Sequence, residues 1–371
     1  MNESQPLTGV EILLVGAFDF CYPREKVLRD AFRHVGASVQ SCTYADEPMF
    51  LGVRKIILLP AIYLRLFVQI LRLARTGHTP DVIVVTRFNP LLLPMAFVIT
   101  RYIGATLVYD LFVSLHRTAA MRGYPRPVVW TVSLVERLTY RLPDHLLVGT
   151  NQFIELYAHM YGIPPDRFVR VPPAADEDRF YPRDAPRRAV FTALYWGNFL
   201  PHHGVDVILD AAVILDEEAS INFVFLGAAP YQAMAEAFAA EQKLSNVRFE
   251  GFVNDTDLHE WIARSHVCLG VFSDDVRALA SITNKVCEAA ASGKAIITED
   301  SPPIHQRFTD QESIITVPPG SPDALAVALE SLQKMPERIA QIEMKSLAVN
   351  QREFSTTVIA ELLVTNIRFN N

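Results

Sequence analysis

Short apolar runs alternate with stretches of helical periodicity along almost the whole chain. The runs are continuous rather than broken by a polar residue at every second position, which is typical of strands buried on both faces of a parallel sheet. A first helix is predicted between two such runs over Glu25–Val35, closed by Gly36. The runs themselves predict strands over Val10–Val15, Val82–Thr86, Thr106–Tyr109, Leu146–Val148, Val190–Tyr195, Phe223–Leu226, Val247–Phe249, Val267–Val271 and Ala295–Thr298.

The strand–helix order is interrupted by the charged, proline-broken stretch Pro182–Pro186 and then starts again. A chain of 371 residues is long enough for two domains, and a stretch of this composition is typical of a linker. We therefore predict an α/β protein with two doubly wound, parallel-sheet, Rossmann-like domains facing a cleft. The expected bounds are 1–183 for the N-terminal domain, 184–350 for the C-terminal domain, and 351–371 for a C-terminal helix that can cross back to the N-terminal domain.

The N-terminal residues and the cysteines bear on the cellular compartment. The first residues include an acid and no basic segment before the first apolar run, so no secretory signal peptide is expected. The four cysteines are scattered, and Cys268 and Cys287 lie in apolar contexts where a buried, reduced thiol is the usual state. These features predict a cytoplasmic protein.

Charge is distributed unevenly between the two halves. Residues 1–150 hold 16 Lys and Arg against 11 Asp and Glu, a balance of +5, whereas the remainder holds 18 against 30. A positive half on an acidic protein predicts contact with something anionic. Because no basic stripe is interleaved with aromatic residues, we expect a membrane surface or a phosphorylated acceptor rather than a nucleic acid.

The segment Ile56–Ala74 is strongly apolar but is interrupted by Pro60, Arg65 and Arg72, which makes it a poor membrane-spanning helix. The two arginines are seven residues apart and share one face of a helix. One interpretation is a helix in the membrane interface, at the inner face of the cell membrane. The other is a buried helix of the N-terminal domain whose arginines reach its edge.

The stretch Ser281–Asp300 carries the clearest chemical signal in the chain. A polar loop precedes a helix on which Lys285 and Glu288 lie three residues apart. Amides at a helix N-terminus and a nearby lysine form an anion site, and a carboxylate one turn further on can accept from the vicinal hydroxyls of a ribose. The alternative is an ordinary surface pair at i,i+3 spacing.

This stretch resembles the C-terminal half of GT-B glycosyltransferases, specifically the retaining enzymes of glycosyltransferase family 4. Their donor-site pattern is Lys-x-x-Glu followed by small residues, a glycine and an apolar strand, which Lys285–Ile297 matches. The resemblance extends from about Asp81 to Leu332. The further segments in the family's order are Trp196–Asp206, Asn222–Gly227, Val247–Val253, and Val171–Asp176 with Arg179–Pro182.

The resemblance implies a retaining hexosyltransferase that moves a sugar from a UDP- or GDP-linked donor to a glycan or lipid-linked acceptor, in polysaccharide or glycolipid biosynthesis. It implies that Lys285 stabilises the leaving diphosphate, that Glu288 holds the ribose, and that His116, on the loop that follows Asp110, lies near the outer hydroxyls of the donor sugar. The alternative for His116 is a polar loop residue without a role in the site. No cofactor and no metal are expected, because lysine and helix amides replace the cation and the departing phosphate oxygen takes the acceptor's proton. The implied donor-binding residues are Gly16, Gly197, Asn198, His203, Gly251, Phe252, Val253, Ser281, Ile282, Thr283, Asn284, Lys285 and Glu288.

The C-terminal half departs from the family pattern in its charged residues. Ala280 occupies the place of a second glutamate, which Asp274 or Asp275 could replace from the same loop. Asn198 and His203 occupy the places of an arginine and a lysine beside the diphosphate. His203 is interpreted either as a cation whose pKa a diphosphate would raise or as a turn histidine.

The N-terminal half departs in the loop after the first strand. The family often has a glycine pair there, but only Gly16 is permissive, and bulky aromatic residues follow it at 18, 20 and 22. We therefore expect a reshaped acceptor side. Two interpretations of Arg24 remain open, a phosphate contact and a first-turn helix residue, and Asp110 either caps a turn or binds a ligand.

Asp255, Thr256 and Asp257 resemble the Asp-x-Asp metal motif of other glycosyltransferases. They directly precede a helical pattern, so Asp255 or Thr256 is expected to be an N-cap rather than a metal ligand. The histidines show no zinc-like spacing with cysteines or acids. No metal site is predicted.

Two other classes of function remain open. A GT-B-fold nucleotide-sugar 2-epimerase would need acids and histidines for proton transfer at the sugar ring, and the sequence offers few. A catalytically silent GT-B binding partner would be consistent with Ala280, Asn198 and the missing glycine pair.

Overall fold

The computed structural model describes residues 5–16, 23–43, 53–216, 220–227, 231–367 and 369. The chain divides into two compact units. One runs to Pro172 and resumes at Thr356, and the other is Pro173–Ser355. The predicted linker Pro182–Pro186 has no regular secondary structure, and the domain bounds stay a prediction. The loop expected to reshape the acceptor side, at 17–22, lies outside the described residues.

The first unit contains a parallel sheet of six strands among the described residues, in the order β2-β1-β3-β4-β5-β6. The strand order reverses between β1 and β3, which pair in register from Ile12 opposite Val82. The strands are β1 Glu11–Gly16, β2 Ser38–Thr43, β3 Val82–Val85, β4 Thr106–Asp110, β5 His145–Val148 and β6 Phe168–Arg170. The helices are α1 Pro23–His34, α2 Val53–Arg75, α3 Leu93–Ile103, α4 Leu115–Met121, α5 Arg126–Thr139 and α6 Asn151–Tyr161.

The second unit repeats this plan with the order β12-β11-β10-β7-β8-β9, which reverses between β7 and β10. Its strands are β7 Phe191–Trp196, β8 Ile221–Leu226, β9 Val247–Gly251, β10 Val267–Leu269, β11 Ala295–Glu299 and β12 Ile315–Val317. Its helices are α7 Val205–Leu215, α8 Gln232–Glu241, α9 Asp255–Arg264, α10 Val276–Leu279, α11 Asn284–Ala291, α12 Pro302–His305, α13 Pro322–Lys334 and α14 Pro336–Glu353.

The last helix, α15 at Thr356–Asn366, belongs to the first unit, where it packs against α1 and β6. Its inward face is apolar, with Ile359 and Leu363 fully buried. The chain therefore returns to its first sheet after the second is complete.

All nine predicted strands are confirmed to within two residues at either end. Eight of them have side chains buried on both faces, as in β3 and β11. The ninth, β9, lies at an edge of its sheet and alternates half-buried and exposed residues. The patterning missed β2, β6 and β12, each of which lies at an edge of its sheet. An edge strand is shorter or more polar because less of it is buried, and the sequence of β2, SVQSCT, shows this directly.

Among the described residues, no helix is both long and apolar enough to cross a membrane. The described cysteines, Cys42, Cys268 and Cys287, are unpaired and buried.

Candidate functional site

The carboxyl ends of β7 and β10 flank the point where the second sheet reverses its strand order, and ligands of doubly wound sheets bind at such a point. Glycines at this edge allow close backbone approach. A Cβ on Gly227 would lie 2.1 Å from the Gly197 carbonyl oxygen, and one on Gly204, at φ 65°, would lie 2.6 Å from the Ser273 amide nitrogen. These positions therefore require glycine.

Lys285 is the second residue of α11, and its side chain extends to the end of β7. It is only 7% exposed, and its Nζ lies 4.9 Å from the centre of the Tyr195 ring. A Cβ on Gly197 would come within 3.1 Å of the same nitrogen. Burial lowers the pKa of Lys285 to about 8, against the opposing effects of the carboxylates of Glu288 and Glu299.

Glu299 is a buried acid at this edge that the sequence did not reveal. It ends β11 and is 1% exposed, and it accepts a 2.7 Å hydrogen bond from the Thr298 hydroxyl. Burial raises its pKa to about 8, although the charge of Lys285 acts in the opposite direction. The available signal was a glutamate that directly continues a fully buried strand towards the switch point.

Glu288 lies one turn after Lys285 and is also 7% exposed. Its Oε2 accepts a 2.7 Å hydrogen bond from the Trp196 indole, at the end of β7. The surface-pair interpretation of Lys285 and Glu288 is wrong, because neither side chain is on the surface.

The N-terminus of α11 lacks a side-chain cap. Its N-cap residue, Thr283, makes no capping hydrogen bond, and its Oγ1 is buried without a hydrogen-bond partner among the described residues. Ile282 is buried, Asn284 is half-buried, and the Ser281 hydroxyl bonds back to the Ala278 carbonyl oxygen at 3.1 Å. An uncapped helix N-terminus presents amide donors to an anion.

His203 precedes α7 and is 9% exposed. Its Nδ1 shares a 2.8 Å hydrogen bond with the Tyr195 hydroxyl. Burial, followed by the charge of Lys285, lowers the pKa of His203 well below its usual value. The imidazole is therefore uncharged in the protein without a ligand, and a cationic His203 beside a bound diphosphate stays a prediction.

The segments expected to hold the base and the diphosphate begin at the ends of β7 and β9. The Gly197 amide donates to the Leu226 carbonyl at 3.0 Å, and the Gly227 amide donates to the Gly251 carbonyl at 2.7 Å, so the ends of three adjacent strands are linked. The residues that follow these glycines are more accessible. Asn198 is exposed, Phe252 is 77% exposed, and Val253 is half-buried.

The place of the missing second glutamate is apolar. Ala280 is 7% exposed at the end of α10. Asp275 caps that helix by accepting a 2.7 Å hydrogen bond from the Arg277 amide, while Asp274 is exposed. One of the two candidate replacements is therefore already engaged as a cap.

The N-cap of α9 is Asn254, whose side-chain oxygen accepts a 2.9 Å hydrogen bond from the Asp257 amide. The prediction of Asp255 or Thr256 as the cap was wrong by one or two positions, because both residues are already helical. Within the described residues, no group of three or more His, Cys, Asp or Glu has an arrangement that could hold a metal ion.

The first unit contains two of the predicted site residues, Gly16 and His116. At the end of β1, a Cβ on Gly16 would lie 2.0 Å from the Thr86 hydroxyl oxygen, so close packing against β3 requires glycine. Nearby, Arg24 forms a buried ion pair of 2.8 Å with Asp110. Its guanidinium also donates to the Val171 and Pro172 carbonyls, which supports a structural role for both charged residues over the ligand-contact interpretations.

His116 is the second residue of α4 rather than a loop residue, which corrects the prediction. The helix starts early because the Ser114 hydroxyl caps it. His116 Nδ1 contacts that hydroxyl at 3.0 Å and also the carboxylate of Glu136, a fully buried residue of α5 that sequence reasoning missed. The imidazole is 17% exposed.

Comparison with known proteins agrees with these two units. Residues 6–174 match the family model of the glycosyl transferase 4-like domain, and residues 190–334 match that of glycosyl transferases group 1. The two parallel sheets and these matches define a protein of the GT-B fold. The chain belongs to the GT-B glycosyltransferases. None of the curated proteins matches it at a significant level.

Solved structures share the fold over nearly the full length. Sucrose-phosphate synthase from Thermosynechococcus elongatus is 15% identical with a TM-score of 0.71, covering 95% of this chain and 96% of its own. HepE from Anabaena, in complex with UDP and glucose, is 13% identical with a TM-score of 0.68, covering 96% and 98%. A glycosyltransferase from Rickettsia africae is 12% identical with a TM-score of 0.66, covering 95% and 96%. At these identities the likeness shows the fold alone.

Proposed function

We propose that this protein is a retaining hexosyltransferase of glycosyltransferase family 4. It transfers a sugar from a UDP- or GDP-linked donor to a glycan or lipid-linked acceptor in polysaccharide or glycolipid biosynthesis. The observation that carries the proposal is the buried Lys285 amine at the end of β7, next to the uncapped N-terminus of α11. Anabaena HepE, of similar fold, has been solved with UDP-glucose, which supports a donor of that kind.

The diphosphate binds to Lys285 and the first amides of α11. As the glycosidic bond breaks, negative charge develops on the leaving diphosphate, and a lysine fixed in place before the reaction stabilises that charge. Burial strengthens the attraction, because a site of low dielectric screens charge less than water does. The same attraction raises the pKa of Lys285 when the donor binds.

Glu288 recognises the ribose. The Trp196 indole fixes the orientation of the carboxylate, and each carboxylate oxygen can accept more than one hydrogen bond. Vicinal ribose hydroxyls are donors of the required kind. The nucleobase lies against the segment from Gly251 to Val253, where the exposed Phe252 ring offers a stacking surface.

No metal is required in this proposal. The positive charge that a divalent cation would supply comes from Lys285 and the helix N-terminus. His203, uncharged without a ligand, gains a proton only if the bound diphosphate raises its pKa enough.

We also place the protein at the inner face of the cell membrane, as a peripheral protein. The α2 helix buries Ile62, Leu66 and Ile70 against the first unit. Its other face exposes 64% of Leu64 and 48% of Phe67. Exposed apolar residues beside exposed arginines are typical of helices in the interface of an anionic membrane. These arginines are Arg65 and Arg72.

The α5 helix supports the same placement. It exposes 67% of Trp130, 41% of Leu134 and 63% of Leu138, which follow one another at four-residue spacing on one face. Tryptophan at such a position is typical of the boundary between lipid and water.

Calorimetric titration with UDP and GDP tests the donor site. Glu288→Gln should weaken the affinity by about 1.5–3 kcal/mol, the usual contribution of hydrogen bonds to a charged group. Glu312→Gln, at an exposed carboxylate paired with Lys345, is the matched control and should leave it unchanged. Equal affinities of wild type and Glu288→Gln would refute the ribose assignment.

Product analysis with candidate nucleotide sugars tests the reaction. A retaining transferase gives a glycoside with the donor's anomeric configuration and needs an acceptor. Isomerisation of the donor without an acceptor would instead indicate an epimerase, and binding without any turnover would indicate a silent partner.

A further inference from the structure

Glu136 of α5 is fully buried and accepts hydrogen bonds from five groups. Its Oε1 accepts from the Leu115 amide and from the Tyr140 hydroxyl at 2.8 Å. Its Oε2 faces the Tyr161 hydroxyl at 2.9 Å, the Ser114 hydroxyl at 3.3 Å, and His116 Nδ1. A buried carboxylate requires this many donors to replace the water it has lost.

The two tyrosines act as donors to this carboxylate. Burial, together with the nearby carboxylate of Glu136, raises the pKa of Tyr140 and Tyr161 far above the usual value, so both keep their hydroxyl hydrogen. The rings of Tyr140 and Tyr161 also contact each other edge to face, with centroids 5.0 Å apart. The carboxylate is therefore held in one position by packed, rigid partners.

A carboxylate fixed in this way decides which nitrogen of His116 carries the proton. Because Glu136 Oε2 can only accept, Nδ1 of His116 must donate to it. The neutral imidazole then has no hydrogen on Nε2, which is left as an acceptor. Within the described residues, none of the hydrogen bonds of His116 engages Nε2.

We propose that Glu136 is a positioning residue that fixes the orientation and tautomer of His116, so that Nε2 is presented as a hydrogen-bond acceptor to a substrate hydroxyl. This inference rests on the proposed function, because it assigns a substrate contact to His116. The new element is the buried carboxylate of Glu136. Without it, either nitrogen of the neutral imidazole could carry the proton.

The substitution Glu136→Gln has a predictable geometry. The Leu115 amide can only donate, so the new amide oxygen must occupy the Oε1 position. The amide nitrogen then occupies the Oε2 position and donates towards His116 Nδ1, which must become an acceptor. The imidazole proton moves to Nε2, and the presented nitrogen changes from acceptor to donor.

Nitrogen-15 NMR of histidine-labelled protein measures this tautomer directly. In the wild type at a pH where His116 is neutral, we expect the proton on Nδ1, and in Glu136→Gln on Nε2. A wild-type proton on Nε2 would overturn the inference, and this test does not depend on whether any variant folds. Glu155→Gln, the same change at an exposed carboxylate of the first unit, is the matched control and should keep the wild-type tautomer.

Turnover of the nucleotide-sugar substrate completes the test. Glu136→Gln should lower kcat about 10- to 100-fold, the usual cost of a hydrogen-bonding group left without its partner, with UDP affinity unchanged. The control Glu155→Gln should stay within about threefold of wild type. A reversed tautomer with wild-type kcat would overturn the positioning role while leaving the donor site of the second unit intact. If the wild-type protein does not bind UDP or GDP at all, the proposed function itself is contradicted.

Discussion

The Trp196 indole donates a 2.7 Å hydrogen bond to the carboxylate of Glu288, and both side chains are buried. The donor ends β7 and the acceptor lies in α11, 92 residues later in the chain. The residue just before Gly197 therefore fixes the acid that we assign to the ribose, at the edge of the sheet where Lys285 also lies.

Trp196→Phe should weaken UDP binding by about 1–2 kcal/mol. The substitution keeps an aromatic ring but removes the donor, so Glu288 is no longer held and loses a hydrogen bond to a charged group. Trp261→Phe is a matched control, because Trp261 stacks with Arg188 and has no role in the proposed site. Calorimetry that gives equal affinities for both variants would contradict the role of Trp196.

Binding of UDP should take up protons above about pH 8. Lys285, whose pKa is lowered to about 8 by burial, is largely unprotonated at pH 9 in the free protein. The diphosphate raises that pKa, so the complex binds a proton that the free protein lacks. Calorimetry in two buffers of different ionisation enthalpy measures the uptake.

Any uptake at pH 6.5 would come from another group such as His203, because Lys285 is already protonated there and its own uptake should be close to zero. Lys285→Met should remove it at pH 9. Identical heats in the two buffers at pH 9 for the wild type would mean that Lys285 does not gain a proton from the ligand.

Glu299→Gln should change how stability depends on pH. Burial raises the pKa of Glu299 from 4.5 to about 8, so between these values the folded state keeps a proton that the unfolded state releases. This contribution to wild-type stability is complete below about pH 4.5 and is lost as the pH rises through about 8. Glutamine does not titrate, so the Glu299→Gln variant lacks this pH-dependent contribution to stability.

Thermal unfolding at pH 5 and pH 8 measures this difference. The melting temperature of the wild type should fall relative to that of Glu299→Gln as the pH rises, whereas the exposed control Glu312→Gln should follow the wild type. Parallel behaviour of wild type and Glu299→Gln would show that Glu299 is ionised in the folded protein.

The fold was predictable because parallel strands buried on both faces have continuous apolar runs. Three of the four edge strands were not, since β6 and β12 are only three residues long, and β2 has four polar residues and buries only Cys42. Of the site, Lys285 and Glu288 were singled out by their spacing of one helical turn together with the family resemblance of the surrounding stretch, and their assignment to the donor stays a proposal. Their burial could not, because it depends on β7, which precedes them by about ninety residues.

The buried acids could not be found from local pattern. Glu136 precedes the exposed Arg137 in α5, and such a charged pair on a helix is usually solvated. Two of its five donors, Leu115 and Tyr161, lie more than twenty residues away on either side. Arg24 was ambiguous for the same reason, since its partner Asp110 is 86 residues distant.

Vesicle sedimentation tests the membrane placement. The protein should bind vesicles that contain anionic lipid at low salt and be released as salt rises, because each basic residue near the surface contributes about 1 kcal/mol that is screened within a Debye length. Reversing the charge of Arg65 and Arg72 should remove binding. Both residues are exposed, so stability should change by no more than about 0.5 kcal/mol per site.

Arg248→Glu, at an exposed arginine of the second unit, is the matched control and should bind vesicles like the wild type. UDP affinity should be the same in all of these variants. Wild-type protein that ignores anionic vesicles at low salt would refute the placement.

Turnover of a nucleotide-sugar donor by Lys285→Met tests the central claim most directly. Methionine nearly preserves the length and packing of the side chain but removes its charge. We expect kcat to fall by about two to three orders of magnitude, the usual cost of losing one preorganised contact to developing charge. Lys345→Met, at an exposed lysine, should retain wild-type turnover. If Lys285→Met turns over the donor within a few-fold of wild type, Lys285 does not stabilise the leaving diphosphate.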